Sequence, residues 1–414
     1  MKKIKSLMLA AVAFVSTIGF IACSDKDEII VPTPTPTPEK SSNIERYQQE
    51  VDATVKAGKK HDKVILVVAF GSTWQQAYDA FDLTVQEYKN EFPSYDVFLS
   101  FSSAICINRA AAAENTTARQ FYEPKYWLEA FGRVQYKEII VQSMQVIPGE
   151  EFSRVVNAMK DFANDSNGDL DDEYMAKFAF DDDENPGENQ LKLGLPLMYS
   201  GWPASVDYDN DPDLDVNKLA AVLNINFGSF ANEGAMLFMG HGNPDTHDTY
   251  KANVRYSQLE KALQAINSNY FVGTVDMMEN FKPHVYQRMQ EAGITSGKVF
   301  CAPLMSIAGD HAHNDMAGED LPKSVNKNSY TFAELQALAN AEGEVKDCSW
   351  KKYFGAPGSG YEIEEATYSD TGARALVKGL LEYSNIRALY KAHTHAAEAQ
   401  DFYHSRLPEE EEEE

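Results

Sequence analysis

The sequence predicts an α/β protein of two similar lobes, each a parallel sheet flanked by helices, with a functional site in the cleft between the lobes. Three observations support this fold class. From about residue 60 to residue 403, short apolar runs rich in β-branched residues alternate with amphipathic stretches, which is typical of parallel sheets covered by helices. Two pairs of short motifs repeat between the halves of the chain. Polar residues follow three successive strands of the second half.

Apolar runs of strand length predict the sheets. They are residues 63–70, 95–101, 137–146, 191–198, 235–239, 270–275 and 298–306. Apolar residues at helical spacing predict the covering helices, at residues 78–92, 250–267, 282–292 and 372–399. Because long amphipathic stretches separate most of the strands, crossover connections between parallel strands are expected rather than hairpins.

The two halves of the chain carry matching motifs at matching places. Ala69-Phe70-Gly71-Ser72 closes the first strand and corresponds to Phe238-Met239-Gly240-His241, 169 residues later. Val146-Ile147-Pro148-Gly149-Glu150-Glu151 corresponds to Ser306-Ile307-Ala308-Gly309-Asp310-His311, 160 residues later. Coincidence between such short strings is the alternative to a duplication. The repeat favours two similar lobes that face each other.

The chain divides into an N-terminal region, two lobes and a tail. The N-terminal lobe spans residues 60–230 and includes an acidic insertion at residues 164–215, rich in Asp, Asn, Gly and Pro. The C-terminal lobe spans residues 231–403 and carries the candidate site, and an acidic tail occupies residues 404–414. Residues 23–59 are predicted to be a lipidated Pro/Thr-rich linker, because repeated Pro-Thr pairs favour an extended spacer.

The N-terminus has the pattern of an export signal. Lysines within the first five residues precede an apolar run, residues 7–22, that ends at Cys23. Such a run ending at a cysteine resembles a bacterial lipobox, whose cysteine is acylated. We therefore expect residues 1–22 to be a signal peptide and Cys23 to anchor an exported lipoprotein at the periplasmic face or the outer surface of the outer membrane. A plain signal peptide or a short anchor helix is the alternative.

Charge and cysteine content exclude two further classes. The formal net charge is −26, of which six charges come from residues 409–414. The remaining acidic body repels phosphate backbones, so nucleic acid is not expected as a partner. Beyond Cys23 the chain has Cys106, Cys301 and Cys348. Three cysteines allow at most one bridge, which argues against a disulfide framework.

Two histidines and one carboxylate follow three successive predicted strands of the C-terminal lobe. His241, Asp276 and His311 are spaced 35 residues apart. Open α/β sheets place their sites at the carboxyl ends of their strands. Two imidazoles and a carboxylate form a ligand set suited to Co, Fe, Ni or Zn. The alternatives for the three positions are a turn histidine, a helix-capping aspartate and a surface hydrogen-bonded cluster.

Longer motifs around these positions resemble those of a known family. Residues 63–399 resemble the CbiK-type anaerobic sirohydrochlorin cobaltochelatases of the class II tetrapyrrole chelatase superfamily. The string Gly309-Asp310-His311-Ala312-His313-Asn314-Asp315-Met316-Ala317 is highly specific to that family. Further matches, in chain order, are residues 67–72, 141–151, 239–242, 271–276, 303–308 and 349–351.

The resemblance implies two chelatase lobes, a tetrapyrrole between them and insertion of a divalent metal without ATP or another nucleotide. It implies that His241, Asp276 and His311 hold the metal, and that His241 and His311 are the catalytic groups. Co²⁺ is the expected substrate metal, with Fe²⁺ or Ni²⁺ as alternatives. The residues expected to contact the tetrapyrrole, where core packing is the alternative for each apolar side chain, are Phe70, Gly71, Ser72, Trp74, Met144, Gly240, Gly242 and Met305.

Two positions depart from the family pattern. Asp276 stands where the family usually has glutamate, so Glu279, about one helical turn further on, is an alternative or additional ligand. Gln145 stands where the family commonly has histidine, which binds haem in some periplasmic members. The expected export gives an alternative function, a surface or periplasmic lipoprotein that binds haem or another tetrapyrrole, or removes its iron, for haem uptake. A homo-oligomer and a partner from an uptake system stay open.

Overall fold

Two four-stranded parallel sheets form the framework of the protein. The computed structural model describes residues 38–113, 117–178, 187–200, 211–244, 250–318, 329–365 and 377–399. The strands are β1 (Lys63–Ala69), β2 (Asp96–Phe101), β3 (Glu138–Ser143), β4 (Gln190–Gly194), β5 (Ala235–Gly240), β6 (Tyr270–Thr274), β7 (Gly297–Leu304) and β8 (Tyr361–Glu365). Their orders are β2-β1-β3-β4 and β6-β5-β7-β8. The identical orders confirm the prediction of two similar lobes.

Twelve α-helices cover the sheets in the described part of the chain. They are α1 (Pro38–Gly58), α2 (Gln75–Glu91), α3 (Ala104–Ala111), α4 (Pro124–Arg133), α5 (Glu150–Ala163), α6 (Asp172–Met175), α7 (Asp215–Glu233), α8 (Val254–Ile266), α9 (Lys282–Glu291), α10 (Phe332–Ala337), α11 (Trp350–Phe354) and α12 (Ser384–Glu398). Within these residues, no helix is both long and apolar enough to cross a membrane. Residues 1–22, Cys23 and the tail 404–414 lie outside the described residues.

All seven predicted strands are present, and the sequence analysis missed one. The missed strand, β8, pairs with β7 at the edge of the second sheet. Its sequence is Tyr-Glu-Ile-Glu-Glu, in which the glutamates interrupt any apolar run. An edge strand needs no continuous apolar sequence, because fewer of its side chains are covered by neighbours.

Helix α1 corrects the predicted linker. It occupies residues 38–58, which the sequence analysis assigned to the linker of residues 23–59. Val51 and Val55 are fully buried in the core of the first lobe, and α1 packs on α4. Residues four apart lie on one face of a helix. The linker prediction is therefore wrong from residue 38 onward. The helix was overlooked because two valines form only a narrow apolar face in an otherwise polar sequence.

Two helices cross between the lobes and correct the predicted boundary at residue 230. Helix α7 belongs to the predicted N-terminal lobe in sequence, but it packs on α8 and β5 of the second lobe. Helix α12 belongs to the predicted C-terminal lobe, but it packs on β3 and β4 of the first. Each lobe is thus completed by a helix from the other half of the chain.

One apolar core runs through both lobes. Ile65 and Val67 of β1 belong to the same buried cluster as Met236 and Phe238 of β5. Alternate residues of a strand face opposite sides of the sheet, so Val64, Leu66 and Val68 of β1 instead face a second core beneath α1, α4 and α5. This shared core sets the two sheets so that their carboxyl ends border one cleft.

The strand order also determines where the cleft lies. In each sheet the first strand in sequence lies between the second and the third. The connection that leaves β1 therefore runs toward β2 and the one that leaves β3 runs the opposite way toward β4, and the same holds for β5 and β7. Such topological switch points are where open α/β sheets form crevices for ligands.

Val55→Ala tests whether α1 is part of the fold. We expect the free energy of unfolding to fall by about 2 kcal/mol, since two buried methyl groups and their packing contacts are lost. Urea unfolding followed by circular dichroism measures this change. Lys56→Ala, at an exposed position of the same helix, should have little effect. Equal stability of the two variants would mean that α1 does not contribute to the core.

Candidate functional site

The cleft between the lobes brings together the turns that follow five strands. Its cavity has a volume of about 190 Å³. The first lobe contributes the turns after β1 and β3, and the second contributes those after β5, β6 and β7. His241, Asp276 and His311 all line this cavity. The structure therefore places the three predicted ligands on one wall.

Backbone hydrogen bonds hold His241 beside Asp276. The carbonyl oxygen of His241 accepts bonds from the Asp276 amide at 2.8 Å and from the Val275 amide at 3.0 Å. Gly242 allows this close approach, because a Cβ atom there would lie 3.0 Å from the Met277 amide nitrogen, and its φ of +90° disfavours other residues. The His241 Nε2 atom lies 3.9 Å from Asp276 Oδ2.

His311 opens a π-helical turn, His311–Met316, that follows β7. Its ring lies edge-on to that of His241, with 4.6 Å between the ring centroids and 87° between the planes. Its Nδ1 atom bonds Asp315 Oδ2 at 2.7 Å. π-helical turns are rare and occur frequently at functional sites. Here the turn places a carboxylate four residues after the imidazole that it contacts.

Hydrogen bonds at Nδ1 determine which ring nitrogen of each histidine carries the proton and which keeps its lone pair. The His241 Nδ1 atom lies 2.8 Å from the carbonyl oxygen of Gly242, and a carbonyl can only accept. The Asp315 carboxylate likewise accepts from His311 Nδ1. In the neutral form both rings therefore carry the proton on Nδ1. Their Nε2 lone pairs remain for a metal ion or a proton.

The two histidines titrate differently. Desolvation lowers the pKa of His241, the neighbouring His311 lowers it further, and the Asp276 charge opposes both effects. For His311, desolvation also acts to lower the pKa, but the hydrogen bond and charge of Asp315, with the charges of Asp276 and Asp310, raise it above the usual value. His241 is therefore the more readily neutral ring, and His311 is the stronger base.

Asp276 caps no helix, contrary to the capping alternative. The 3₁₀ turn Met278–Asn280 begins after Met277, and α9 begins after Phe281. The Asp276 side chain is 16% exposed and faces His241. Glu279 does not line the cleft and is exposed, so the structure does not support it as an alternative ligand. Within the described residues, no set of three or more His, Cys, Asp or Glu side chains already has metal-binding geometry.

Five of the eight predicted tetrapyrrole contacts line the cleft, namely Phe70, Gly71, Ser72, Gly242 and Met305. Three do not, and their prediction is corrected. Met144 is fully buried in the core shared by the lobes. Gly240 ends β5 against the ring of Tyr256. Trp74 stacks on His313 instead of presenting its ring to the cavity.

The sequence analysis missed several residues of the site. Arg109, on α3, lines the cavity, and its Nη1 atom lies 3.4 Å from Asp310 Oδ2 of the other lobe. Asn243 caps the start of α5 across the cleft, since its Oδ1 atom accepts from the Glu150 amide at 2.8 Å. A signal was present for Asp315, because it follows His311 by four residues. None was present for Arg109, whose contact depends on how the lobes meet.

Comparison with known proteins shows that the chain is similar to chelatases in sequence. Residues 63–348 match the sequence model of the family described as "Cobalt chelatase (CbiK)". A protein from Nitratidesulfovibrio vulgaris named "Sirohydrochlorin cobaltochelatase CbiKC" is 27% identical over 259 residues, which cover 62% of this chain and 76% of that protein. A Salmonella typhimurium protein named "Sirohydrochlorin cobaltochelatase" is 24% identical over 336 residues, covering 81% of this chain and 96% of that protein.

Solved structures show a weaker likeness. The chain is similar to SirB from Bacillus subtilis with Fe³⁺, with a TM-score of 0.45 and 12% identity over 82% of this chain and 99% of that one. The fold assignment rests on the strand orders described above.

Asp315→Asn tests whether the Asp315 carboxylate raises the pKa of His311. The pKa of His311 is raised, and a metal binds only the neutral ring, so Co²⁺ affinity should fall as the pH decreases through that raised pKa. Removing the Asp315 charge should move this fall to lower pH. At high pH the variant should bind Co²⁺ about ten- to a hundredfold more weakly, because the supporting carboxylate is lost. Absorption titrations with Co²⁺ across roughly pH 5 to 9 measure both effects.

Glu279→Gln is the matched control for Asp315→Asn, since it removes an exposed carboxylate from the same lobe. Its pH profile should equal that of the unmodified protein. An unshifted profile for Asp315→Asn would contradict the assigned role of Asp315.

Proposed function

We propose that this chain, which belongs to the cobalt chelatase (CbiK) family, inserts a divalent metal into sirohydrochlorin, with Co²⁺ as the principal metal. The observation that carries the proposal is the convergence of His241, Asp276 and His311 on one wall of the inter-lobe cleft. Two relatives named as sirohydrochlorin cobaltochelatases support the substrate and the metal. The macrocycle lies in the cleft, and the ion is offered from this wall.

Metal insertion requires the removal of two pyrrolic protons while the ion is delivered to the macrocycle. His241, whose pKa is lowered, stays neutral near neutral pH and offers its Nε2 lone pair to the ion. His311, whose pKa is raised, is the stronger proton acceptor of the pair and takes one pyrrolic proton at Nε2. The Nε2 atom of His241 takes the second proton when the ion passes from it to the macrocycle. Asp315 balances the charge that His311 gains, and Asp276 offsets the charge of the ion beside His241.

The nature of the donors supports the proposed metals. Imidazole nitrogens and a carboxylate oxygen suit divalent ions such as Co²⁺, Ni²⁺ and Fe²⁺. A pair of imidazoles and one carboxylate leave coordination positions open, as transfer of the ion to another ligand requires. Proton acceptance and ion delivery are both supplied by side chains, so the proposed reaction uses no nucleotide.

The rest of the cleft lining suits a planar macrocycle with acidic substituents. Phe70 and Ile147 of the first lobe and Met305 of the second lobe supply apolar surface. Gly71 has a φ of +118°, and a Cβ atom there would lie 2.8 Å from side-chain atoms of Phe101 and Cys106, so the turn after β1 requires glycine at this point of the lining. Arg109 supplies a positive charge at the rim for a carboxylate of the tetrapyrrole.

We also propose that the protein is an exported lipoprotein anchored through Cys23. The apolar run before Cys23 and the lipobox-like sequence around it support this location. An anchored chelatase must obtain its tetrapyrrole outside the cytoplasm. The alternative function, binding of haem or removal of its iron, is therefore an outcome that the activity experiment must distinguish.

The proposed reaction is tested by incubating the purified full chain anaerobically with sirohydrochlorin and Co²⁺, Ni²⁺ or Fe²⁺, and separately with haem, while absorption spectra are recorded. We expect metalation of sirohydrochlorin, fastest with Co²⁺. His241→Ala and His311→Ala should each abolish turnover with an unchanged far-ultraviolet dichroism spectrum. Asp276→Ala should weaken Co²⁺ binding about ten- to a hundredfold, whereas Asp276→Glu should retain activity.

One result would contradict the proposed reaction, and another would contradict the roles assigned to the histidines. A haem spectrum that shifts on binding, with no metalation of sirohydrochlorin, would favour the haem-handling alternative. Normal turnover in His241→Ala or His311→Ala would remove that residue from the mechanism.

Cys23→Ala tests the anchor. Acylation of Cys23 is the proposed attachment to the membrane, so the variant should move from the membrane fraction to the soluble fraction on cell fractionation. Persistent membrane association would contradict lipidation at this residue. Protease treatment of whole cells producing the unmodified protein then reports whether it faces the exterior.

A further inference from the structure

We infer that Trp74 is a positioning residue that holds the His311 turn in place from the opposite lobe. Trp74 belongs to the first lobe, whereas His311 follows β7 of the second. The inference rests on the proposed function for its catalytic meaning, but the contacts themselves are independent of it. The sequence predicts that Trp74 contacts the tetrapyrrole, whereas in the structure Trp74 contacts Asp310 and His313.

Trp74 contacts residues on both sides of His311. Its indole Nε1 atom donates a hydrogen bond to Asp310 Oδ1 at 2.6 Å. Its ring lies flat on that of His313, with 3.9 Å between ring centroids and 9° between planes. Asp310 directly precedes His311, and His313 follows it by two residues. One side chain of the first lobe thus brackets the histidine without occupying the cavity.

The backbone of Trp74 is itself fixed, so the contact can position its partner. Trp74 is the residue immediately before α2. Its carbonyl oxygen accepts from the Tyr78 amide at 3.2 Å, and its amide donates to Ser72 Oγ at 3.2 Å. A side chain mounted on the start of a 17-residue helix provides a rigid support.

The segment that Trp74 contacts is the turn that carries His311. His311–Met316 forms a single π-helical turn, a conformation that is much rarer than the α-helix. Arg109 adds a longer contact to the second oxygen of Asp310, at 3.4 Å. Both carboxylate oxygens of Asp310 therefore face donors from the first lobe. The turn that carries His311 is therefore contacted from the first lobe as well as from its own.

Trp74→Phe separates this role from a role in binding the macrocycle. Phenylalanine keeps an aromatic ring against His313 but removes the indole N–H donor. We expect Co²⁺ affinity of the tetrapyrrole-free full chain, measured by absorption titration, to fall about tenfold, the lower end for lost support of a metal site. Turnover with sirohydrochlorin should show a lower kcat and an unchanged KM for the tetrapyrrole, because Trp74 does not line the cavity.

Asp310→Ala completes a double-mutant cycle with Trp74→Phe. If the indole acts through Asp310, Trp74→Phe should change Co²⁺ affinity in the unmodified protein but cause no further loss in the Asp310→Ala background. Asp310→Asn keeps an oxygen acceptor and should retain the sensitivity to Trp74→Phe. Equal losses in both backgrounds would overturn the inference.

Gln76→Ala is the matched control for a merely structural role. Gln76 lies on the same helix and also crosses to the second lobe, where its Nε2 atom donates to the Val377 carbonyl oxygen at 2.6 Å. The variant should lower thermal stability and leave Co²⁺ affinity unchanged. A Trp74→Phe protein that behaved like Gln76→Ala, or that raised KM for the tetrapyrrole with unchanged kcat, would overturn the inference.

The Co²⁺ titration separates this inference from the proposed function. Tenfold weaker Co²⁺ binding in Trp74→Phe, in a protein that metalates no tetrapyrrole, would support the positioning role and contradict only the proposed reaction. If the unmodified protein metalates sirohydrochlorin and Trp74→Phe changes neither Co²⁺ affinity nor kcat, the proposed reaction is supported and the positioning role is contradicted. An unmodified protein that neither binds Co²⁺ nor turns over would contradict both.

Discussion

The pairing of β5 with β6 on one side and β7 on the other is the constraint on which the site depends. Parallel strands end at the same edge, so residues spaced 35 apart in sequence become neighbours. The resulting wall has two kinds of support. Backbone hydrogen bonds tie His241 to Asp276, whereas side chains hold the His311 turn. The first pair is fixed by the sheet, and the turn that carries His311 is held by Asp315 of its own lobe and by contacts of Asp310 with Trp74 and Arg109 of the other.

Strand periodicity and motif repetition were sufficient to predict the framework and the strand ends at which His241, Asp276 and His311 lie. β-Branched runs identified seven strands, and the repeat identified two lobes, because these features depend on local patterns. The N-terminal helix was missed because Val51 and Val55 provide only a narrow apolar face in a polar sequence. The eighth strand, β8, was missed because its glutamates interrupt the apolar pattern by which strands were recognised.

Contacts between distant residues could not be predicted in the same way. Trp74 was predicted to contact the tetrapyrrole, but its ring is directed toward Asp310 and His313, more than 230 residues away in sequence. Asn243 and Glu150 meet across the cleft for a similar reason. Such pairs depend on the relative placement of the two sheets, which no local pattern specifies.

The two crossing helices have a consequence for how such a chain could have arisen. Helix α7 ends the first half of the chain and completes the second lobe, while α12 ends the second half and completes the first. This reciprocal exchange is the arrangement of a domain-swapped dimer whose two subunits have been fused end to end. Neither half carries all the elements that cover its own sheet. A gene encoding only one half would therefore yield a lobe with an uncovered apolar face, unless two copies exchanged their last helices.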